Sequence, residues 1–163
     1  MAVPIALPPS LAKKILEEAR KRGVTIEEYI VDFLTRDFDP SDRAREYVEV
    51  ALYLLDRARE ELKRGDVRQA AEKTWGAAAL AVKAYAMWKD GRRLTSHGEL
   101  WDYESLIESE LGEWVYDAWM AANGMHTCFY EGWCKESHVE TAIKHVEGLV
   151  KTVAQRLREL KNR

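Results

Sequence analysis

The chain has 163 residues, of which 47% are apolar and 33% are charged, and its formal net charge is −3. This length suits one domain, or one domain with a small appendage, and the composition excludes a disordered chain. The negative charge excludes a protein that coats nucleic acid mainly by neutralising phosphates, but it leaves a local basic patch open. Arg and Glu are plentiful while Asn, Gln and Ser are scarce, a balance typical of thermophile proteins.

We expect a cytoplasmic protein that does not enter the membrane. No apolar run approaches the roughly 20 residues that cross a bilayer, and the start MAVPIALPPS lacks the basic and long apolar regions of a secretion signal. In a reducing compartment Cys128 and Cys134 are expected as free thiols, unless the source is a hyperthermophile, where intracellular disulfides occur.

Residues 1–40 predict a strand-helix-helix appendage. The strand is VPIAL, the first helix runs from about Leu11 to Arg22, and Gly23 ends it. Thr25 precedes the second helix with Glu28 at capping-box spacing. One face of that helix is apolar: Ile26, Tyr29, Ile30, Phe33 and Leu34.

This order resembles the ribbon-helix-helix family of DNA-binding proteins. In that family the strand pairs with its twin in a dimer and places polar side chains in the major groove. VPIAL carries no such side chain, and Pro4 interrupts strand pairing. We therefore favour an appendage that docks or stabilises a dimer; DNA binding through residues 3–38 is the alternative and requires a basic surface there.

Residues 41–163 predict an antiparallel, up-and-down helical bundle, so the fold class is all-α with a small N-terminal appendage. Pro40 marks the boundary, and Ser41 or Asp42 is expected to cap the next helix. Helices follow over 48–62 and 67–88, through YESLIESEL, and from about Glu113. A final helix capped by Ser137 carries a sustained apolar stripe: Ile143, Val146, Val150, Val153, Leu157 and Leu160.

The stretch ANGMHTCFYEGW holds the candidate chemistry. At helical spacing Trp119, Asn123, His126 and Tyr130 share one face. A histidine there can accept or donate a proton near neutral pH, and a neighbouring amide or phenol can orient it or bind a phosphate or base. A buried histidine that only joins helices explains the same pattern, so both interpretations stay open.

Several segments together resemble the archaeal paralogous repeat family called PaREP, which is grouped with the HEPN superfamily of nucleotide-binding helical bundles. They are AEKTWGAAALAVKAYA, SHGEL, NGMHTCFYEGW and HVETAIKHVEGLVKTVAQRLREL. The resemblance spans about residues 42–160. It implies a bundle that pairs as a homodimer, so we expect a second copy of the chain as a partner.

Many HEPN proteins are metal-independent ribonucleases that use an arginine followed four to six residues later by a histidine. The resemblance assigns the histidine, which acts as acid or base on the ribose hydroxyl, to His126, and it assigns the polar residue of the family motif to Asn123. The arginine is missing, because Ala121 stands five residues before His126. Without the arginine, the charge of the phosphate loses its main stabiliser. Ribonuclease activity is therefore expected to be weak or lost, and whether the chain is an enzyme stays open.

Other residues offer replacements. Arg92 and His97 in RRLTSH have the family spacing but lie in a loop, where His97 or Ser96 instead caps the next helix. Lys73, Lys83 or Arg92 could supply the cation from another helix. In some HEPN proteins a tyrosine after the histidine is modified by a partner nucleotidyltransferase, and Tyr130 is the residue here that would take that role.

A zinc site is an alternative for His126, Cys128, Cys134 and His138, which are acceptable ligand types. On a continuous helix Cys128 points away from His126, so we predict no metal. No glycine-rich phosphate loop, nucleophile elbow or dinucleotide fingerprint is present, and we predict no cofactor.

Two functions remain in competition. The first is binding of nucleotide or RNA, with His126 and Asn123 at the centre and Tyr130, Trp119, Arg92 and His97 as ligand contacts. The second is a non-catalytic, homodimeric protein-interaction module. An accessible His126 beside a cation favours the first function, and a buried, fully hydrogen-bonded one favours the second.

Overall fold

The computed structural model describes residues 2–161, with side chains through residue 159, and this part of the chain is helical. Seven α-helices follow one another in chain order: α1 Pro9–Arg22, α2 Ile26–Leu34, α3 Pro40–Lys63, α4 Val67–Asp90, α5 His97–Leu111, α6 Trp114–Glu131 and α7 Glu136–Lys161.

The predicted N-terminal strand is wrong. Residues 2–8 have no regular secondary structure, and residues 2–161 contain no strand. Pro4 and Pro8 have no N–H to donate, so this segment cannot form a regular hydrogen-bonded ladder. The first helix also begins at Pro9 rather than near Leu11, because proline is favourable in the first turn of a helix.

The predicted end of α1 and the predicted start of α2 are confirmed at their caps. Gly23 ends α1 with a φ of 65°, a left-handed conformation that favours glycine. The Thr25 hydroxyl accepts a hydrogen bond from the backbone N–H of Glu28 at 3.1 Å. The Glu28 carboxylate in turn accepts one from the Thr25 N–H at 3.4 Å, which completes the capping box.

Helix α2 turns its apolar face outward. Its buried side is largely polar and consists of Thr25, Glu28, Val31 and Thr35. Ion pairs fix this side to α4: Lys73 to Glu27 at 3.2 Å and Lys83 to Glu28 at 3.1 Å. The appendage is thus held to the bundle mainly by charge pairs, while the apolar residues Ile26, Ile30, Phe33 and Leu34 face away from it.

Helix α4 is the centre of the bundle, as its alanine-rich sequence predicts. It packs against α3, α5, α6 and α7, and nearly all of its residues between Ala70 and Met87 are buried. The predicted stripe on α7 is buried from Ile143 through Leu157; the side chain of Leu160 lies outside the described residues. Burial of these faces against one another is the main stabilising contribution to the bundle.

Several predicted caps differ from the observed ones. Asp39 caps α3, whereas Ser41 or Asp42 was predicted to do so. The Asp39 carboxylate accepts hydrogen bonds from the backbone N–H groups of Ser41 and Asp42, both at 3.3 Å. Ser96, one of the two residues predicted to cap α5, does so with Glu99 in a second capping box, and that helix begins at His97. Helix α7 begins at Glu136, so Ser137 lies inside its first turn rather than at its cap.

The two cysteines are not free thiols. Cys128 in the last turn of α6 forms a disulfide with Cys134, with a Cα–Cα distance of 5.6 Å. Gly132, with a φ of 73°, ends α6 and lets the chain reverse toward α7 between the two cysteines. Within residues 2–161, no helix combines the length and the apolar character needed to cross a membrane.

Candidate functional site

One face of α6 leads from the core to the surface. Trp119 is 0% exposed, Asn123 and His126 are half-buried, and Tyr130 is 61% exposed. The helical repeat places these side chains one above another. A molecule approaching this face therefore meets Tyr130 first and His126 next.

The structure brings His126 against His97 and Trp75. The ring centroids of the two imidazoles are 5.1 Å apart, and Trp75 lies 4.6 Å from His126 and 5.4 Å from His97. The rings of Trp75 and His97 are stacked, with 4° between their planes. We call Trp75, His97, His126 and Tyr130 the two-histidine cluster; its members come from α4, α5 and α6.

The histidines of this cluster are chemically available. Neither imidazole makes a hydrogen bond to any other group in residues 2–161. Burial lowers the pKa of His126, and the charge that His97 carries when protonated lowers it further. Near neutral pH His126 is therefore neutral and offers a basic nitrogen, which is the state that a general base or a hydrogen-bond acceptor requires.

Tyr130 forms the outer edge of the cluster. Its ring meets His126 edge-on at 5.3 Å and Phe129 at 5.1 Å. Edge-to-face contacts of this kind are favourable between aromatic rings. They hold the phenol beside His126 while most of its surface stays in contact with solvent.

Trp119 and Asn123 support the site from below. The Trp119 indole packs on Trp75 at 5.2 Å and on Trp101 at 5.8 Å, and it has no exposed surface through which a ligand could touch it. The Asn123 amide donates to the Trp119 carbonyl at 2.7 Å, so it bonds its own helix rather than His126. Its side-chain oxygen has no donor among the described residues.

The three cations considered from the sequence all have acidic partners. Lys73 and Lys83 pair with Glu27 and Glu28 of α2. The Arg92 guanidinium lies 3.7 Å from the Glu99 carboxylate. The structure places the ring of His97 against that of His126.

The C-terminal end of α6 is anchored by Arg68 of α4 and by the disulfide. The Arg68 guanidinium donates to the carbonyls of Phe129 and Tyr130, both at 2.9 Å. A cation is favourable at these unpaired carbonyls because the C-terminus of a helix carries partial negative charge. Arg68 and the Cys128–Cys134 bridge together fix the position of Tyr130.

The alternative zinc site does not form. Two of its four candidate ligands, Cys128 and Cys134, are joined to each other. The ring nitrogen Nδ1 of a third, His138, accepts a hydrogen bond from the Lys135 N–H at 2.9 Å. In the part of the chain that the structure describes, no group of His, Cys, Asp and Glu side chains is arranged to hold a metal ion.

Comparison with family models gives a match over residues 46–150 to the archaeal PaREP1/PaREP8 family. The chain belongs to the archaeal PaREP1/PaREP8 family. The identification of PaREP from the sequence is thus confirmed. A crystal structure of a protein from Sulfolobus solfataricus is 26% identical, covers 66% of this chain and 96% of that one, and superposes with a TM-score of 0.60. No curated protein matches the chain.

All four residues of the two-histidine cluster lie inside the range that the PaREP1/PaREP8 model matches, whereas α1 and α2 lie outside it. The sequence pointed to His126, His97 and Tyr130 for separate reasons, and it did not point to Trp75 or Arg68. Trp75 stands in an apolar run that reads as core, and only the packing of α4 against the start of α5 brings it to His97. No local spacing carries that information.

Proposed function

We propose that this PaREP1/PaREP8 protein is a HEPN-like helical protein that binds a nucleotide or single-stranded RNA at the two-histidine cluster. The observation that carries the proposal is the half-exposed His126, whose ring nitrogens have no hydrogen-bond partner in residues 2–161 and which stands beside His97 and Trp75. A histidine that only joins helices is normally hydrogen-bonded when buried, because an unpaired polar group costs free energy.

The cluster suits an unpaired nucleotide. Proteins bind single-stranded RNA by stacking its bases on aromatic and imidazole rings. The exposed rings of Tyr130 and His97 offer such surfaces, and they flank the neutral His126. The ribose 2′-hydroxyl would then donate a hydrogen bond to His126, a contact that a deoxyribose cannot make.

Cleavage at this site is expected to be slow or lost. In the reaction, neutral His126 would take the proton of the 2′-hydroxyl, the 2′-oxygen would attack phosphorus, and the bond to the 5′-oxygen would break. Protonated His97 would give its proton to that oxygen, leaving a 2′,3′-cyclic phosphate and a 5′-hydroxyl. The imidazoles stand side by side rather than on opposite sides of a phosphate, and Lys73, Lys83 and Arg92 have acidic partners.

A homodimeric protein-interaction module is the second candidate function. The outward apolar face of α2, with Ile26, Ile30, Phe33 and Leu34 exposed, favours it. Partner proteins would then include a second copy of the chain. A nucleotidyltransferase is a further proposed partner, because the exposed Tyr130 presents its hydroxyl to solvent.

Binding of a labelled short oligouridylate, measured by fluorescence anisotropy, tests the leading proposal. His126→Ala is expected to weaken binding by about tenfold, the loss of a hydrogen bond and a stacking contact. His145→Ala is the matched control, because His145 is an exposed histidine on α7 outside the cluster. Thermal unfolding of each variant verifies that it is folded.

Equal affinity of the His126 and His145 variants would overturn the proposal and leave the interaction module as the function to pursue. Weak cleavage is measured separately. The oligouridylate is incubated with the protein and a metal chelator, and mass spectrometry detects any cyclic phosphate ends. Cyclic ends that persist in the His126 variant would show that His126 is not the base.

A further inference from the structure

The turn between α1 and α2 forms a cleft with the start of α5. Arg22, Gly23 and Val24 line one side, and Trp75 and His97 line the other. A larger cleft of about 330 Å³ adjoins it, shares Arg22 and Lys83, and extends toward Asp32 and Arg93. The edge of the two-histidine cluster at His97 therefore opens into a space that the N-terminal helix pair partly encloses.

Most charges around this space are already paired. Lys83 donates to Glu28 at 3.1 Å, and Arg93 donates to Asp32 through two of its nitrogens. Glu99 accepts from the backbone N–H groups of Thr95 and Ser96 in the cap of α5. The carboxylates of Glu28, Asp32 and Glu99 each accept at least two hydrogen bonds from the protein.

Arg22 is the exception among the cations that line the two clefts. Its guanidinium lies 3.7 Å from Glu18 in a pair whose side chains are 50% and 38% exposed, and it rests 5.0 Å above the ring of Tyr29. Exposed pairs of this kind are weak, because water screens them and both side chains are mobile. A doubly bonded phosphate is a stronger partner for a guanidinium than such a carboxylate.

We propose that the cleft between the Arg22–Val24 turn and His97 is the phosphate subsite of the nucleotide or RNA bound at the two-histidine cluster, with Arg22 as its cation. This inference rests on the proposed function and adds to it the residue that holds the phosphate. The cation comes from outside residues 46–150, so the N-terminal helix pair is part of the binding site.

The test compares Arg22→Gln, Arg22→Lys and Lys21→Gln for binding of the labelled oligouridylate over a range of salt concentrations. Lys21 is the matched control, because it neighbours Arg22 and also pairs with Glu18 but does not line the cleft. Arg22→Gln is expected to weaken binding about tenfold and to lower the salt slope by about 0.7, the loss of one phosphate contact on a single strand. Arg22→Lys should keep the slope but lose part of the affinity.

Competition separates the two sources of phosphate. Uridine monophosphate that displaces the oligouridylate from the unaltered protein, but competes less well in Arg22→Gln, would identify a mononucleotide phosphate as sufficient. Displacement by longer strands alone would assign the subsite to RNA. Inorganic phosphate is used as a third competitor, because it can occupy the phosphate subsite but carries no base to stack on the two-histidine cluster.

The two proposals fail in different ways. Binding that depends on His126 but is unchanged in Arg22→Gln, in affinity and in salt slope, would overturn the phosphate subsite and leave the proposed function intact. An equal effect of Lys21→Gln and Arg22→Gln would also overturn it, because it would reduce Arg22 to a general surface charge. No binding by the unaltered protein would overturn both.

Discussion

Lys83 of α4 donates a hydrogen bond to the carboxylate of Glu28 of α2 across 3.1 Å, at a position where Glu28 is only 2% exposed. Burial raises the pKa of Glu28, and the Lys83 ammonium counteracts that effect. The pair connects the N-terminal helices to the centre of the bundle. Its two charges depend on each other, because the Glu28 side chain is 2% exposed and that of Lys83 only 13%.

Removal of Lys83 alone should be strongly destabilising. Lys83→Met is expected to lower the free energy of unfolding by about 3 kcal/mol, because it leaves a buried carboxylate without its counter-charge. The double variant Lys83→Met, Glu28→Gln should recover most of that loss, since Gln still accepts from the Thr25 N–H in the capping box. Urea unfolding measures both, with Lys144→Met on the surface of α7 as the control. A loss in Lys83→Met no larger than the control's would contradict this account.

Gly76 should tolerate no side chain. A Cβ there would lie 2.7 Å from Cγ2 of Thr25 and 3.1 Å from Leu54, and Thr25 is held in place by its capping bond. We expect Gly76→Ala to lower the free energy of unfolding by about 1–3 kcal/mol through overpacking. Gly148→Ala in α7 has open space and should instead raise it by about 0.5–1 kcal/mol. Thermal unfolding that moved both variants in the same direction would disprove the close contact.

Asp32 should make stability fall in acid. Burial acts to raise its pKa, but hydrogen bonds from Arg93 and Tyr47 and the charges of Arg93 and Arg43 outweigh it and lower the pKa to about 2. Because the pKa of Asp32 is lower in the folded chain, its contribution to stability is fully present above about pH 4, the pKa in the unfolded chain, and disappears as the pH falls toward 2. The loss should be about 2 kcal/mol.

Denaturant unfolding between about pH 5 and pH 2, the range in which carboxyl groups titrate, measures this effect. Asp32→Asn should lack that part of the pH dependence, whereas Asp37→Asn, at an exposed carboxyl, should keep it. An Asp32 variant with the same acid profile as the unaltered chain would refute the assignment.

Glu104 should have the opposite dependence on pH. Its side chain is 1% exposed, and one carboxyl oxygen has no hydrogen-bond partner. Burial, with a further contribution from the charge of Glu108, raises the pKa to about 7. The folded chain thus holds this proton more tightly than the unfolded one, and stability should decrease by about 3 kcal/mol as the pH rises from the unfolded pKa through the folded one.

Glu104→Gln removes the ionisable group and should remain stable above neutral pH. Chemical denaturation at a series of pH values compares it with Glu140→Gln, which alters an exposed carboxyl on α7. A decline toward alkaline pH that survived in Glu104→Gln would mean that another group causes it.

The caps of α1, α2 and α5 and the apolar stripe of α7 are local features that the sequence predicts. Thr25 and Glu28 meet within one turn, Gly23 ends its own helix, and the apolar residues of α7 repeat at helical spacing. The interactions that decide these features lie within a few residues along the chain. Pairing of VPIAL depends instead on a neighbouring strand, and for this reason the strand prediction failed.

The candidate site depends on contacts between distant residues. Periodicity identifies the apolar face of α2, but it does not show that the polar face is the one buried against the bundle. Likewise His97 and His126 are far apart in sequence and meet only because α5 and α6 both pack on α4. The prediction of free thiols was wrong because it relied on a reducing compartment, whereas the chain reverses at Gly132 and brings Cys128 and Cys134 together.

The charge-paired contact between α2 and α4 responds to heat differently from an apolar one. The free-energy cost of removing charged groups from water decreases as temperature rises, because their hydration is entropically unfavourable. The pairs of Glu27 with Lys73 and of Glu28 with Lys83 therefore cost less free energy to desolvate at high temperature, and their net stabilisation is retained on warming. The N-terminal helices, and with them Arg22, should stay in place close to the melting temperature of the bundle itself.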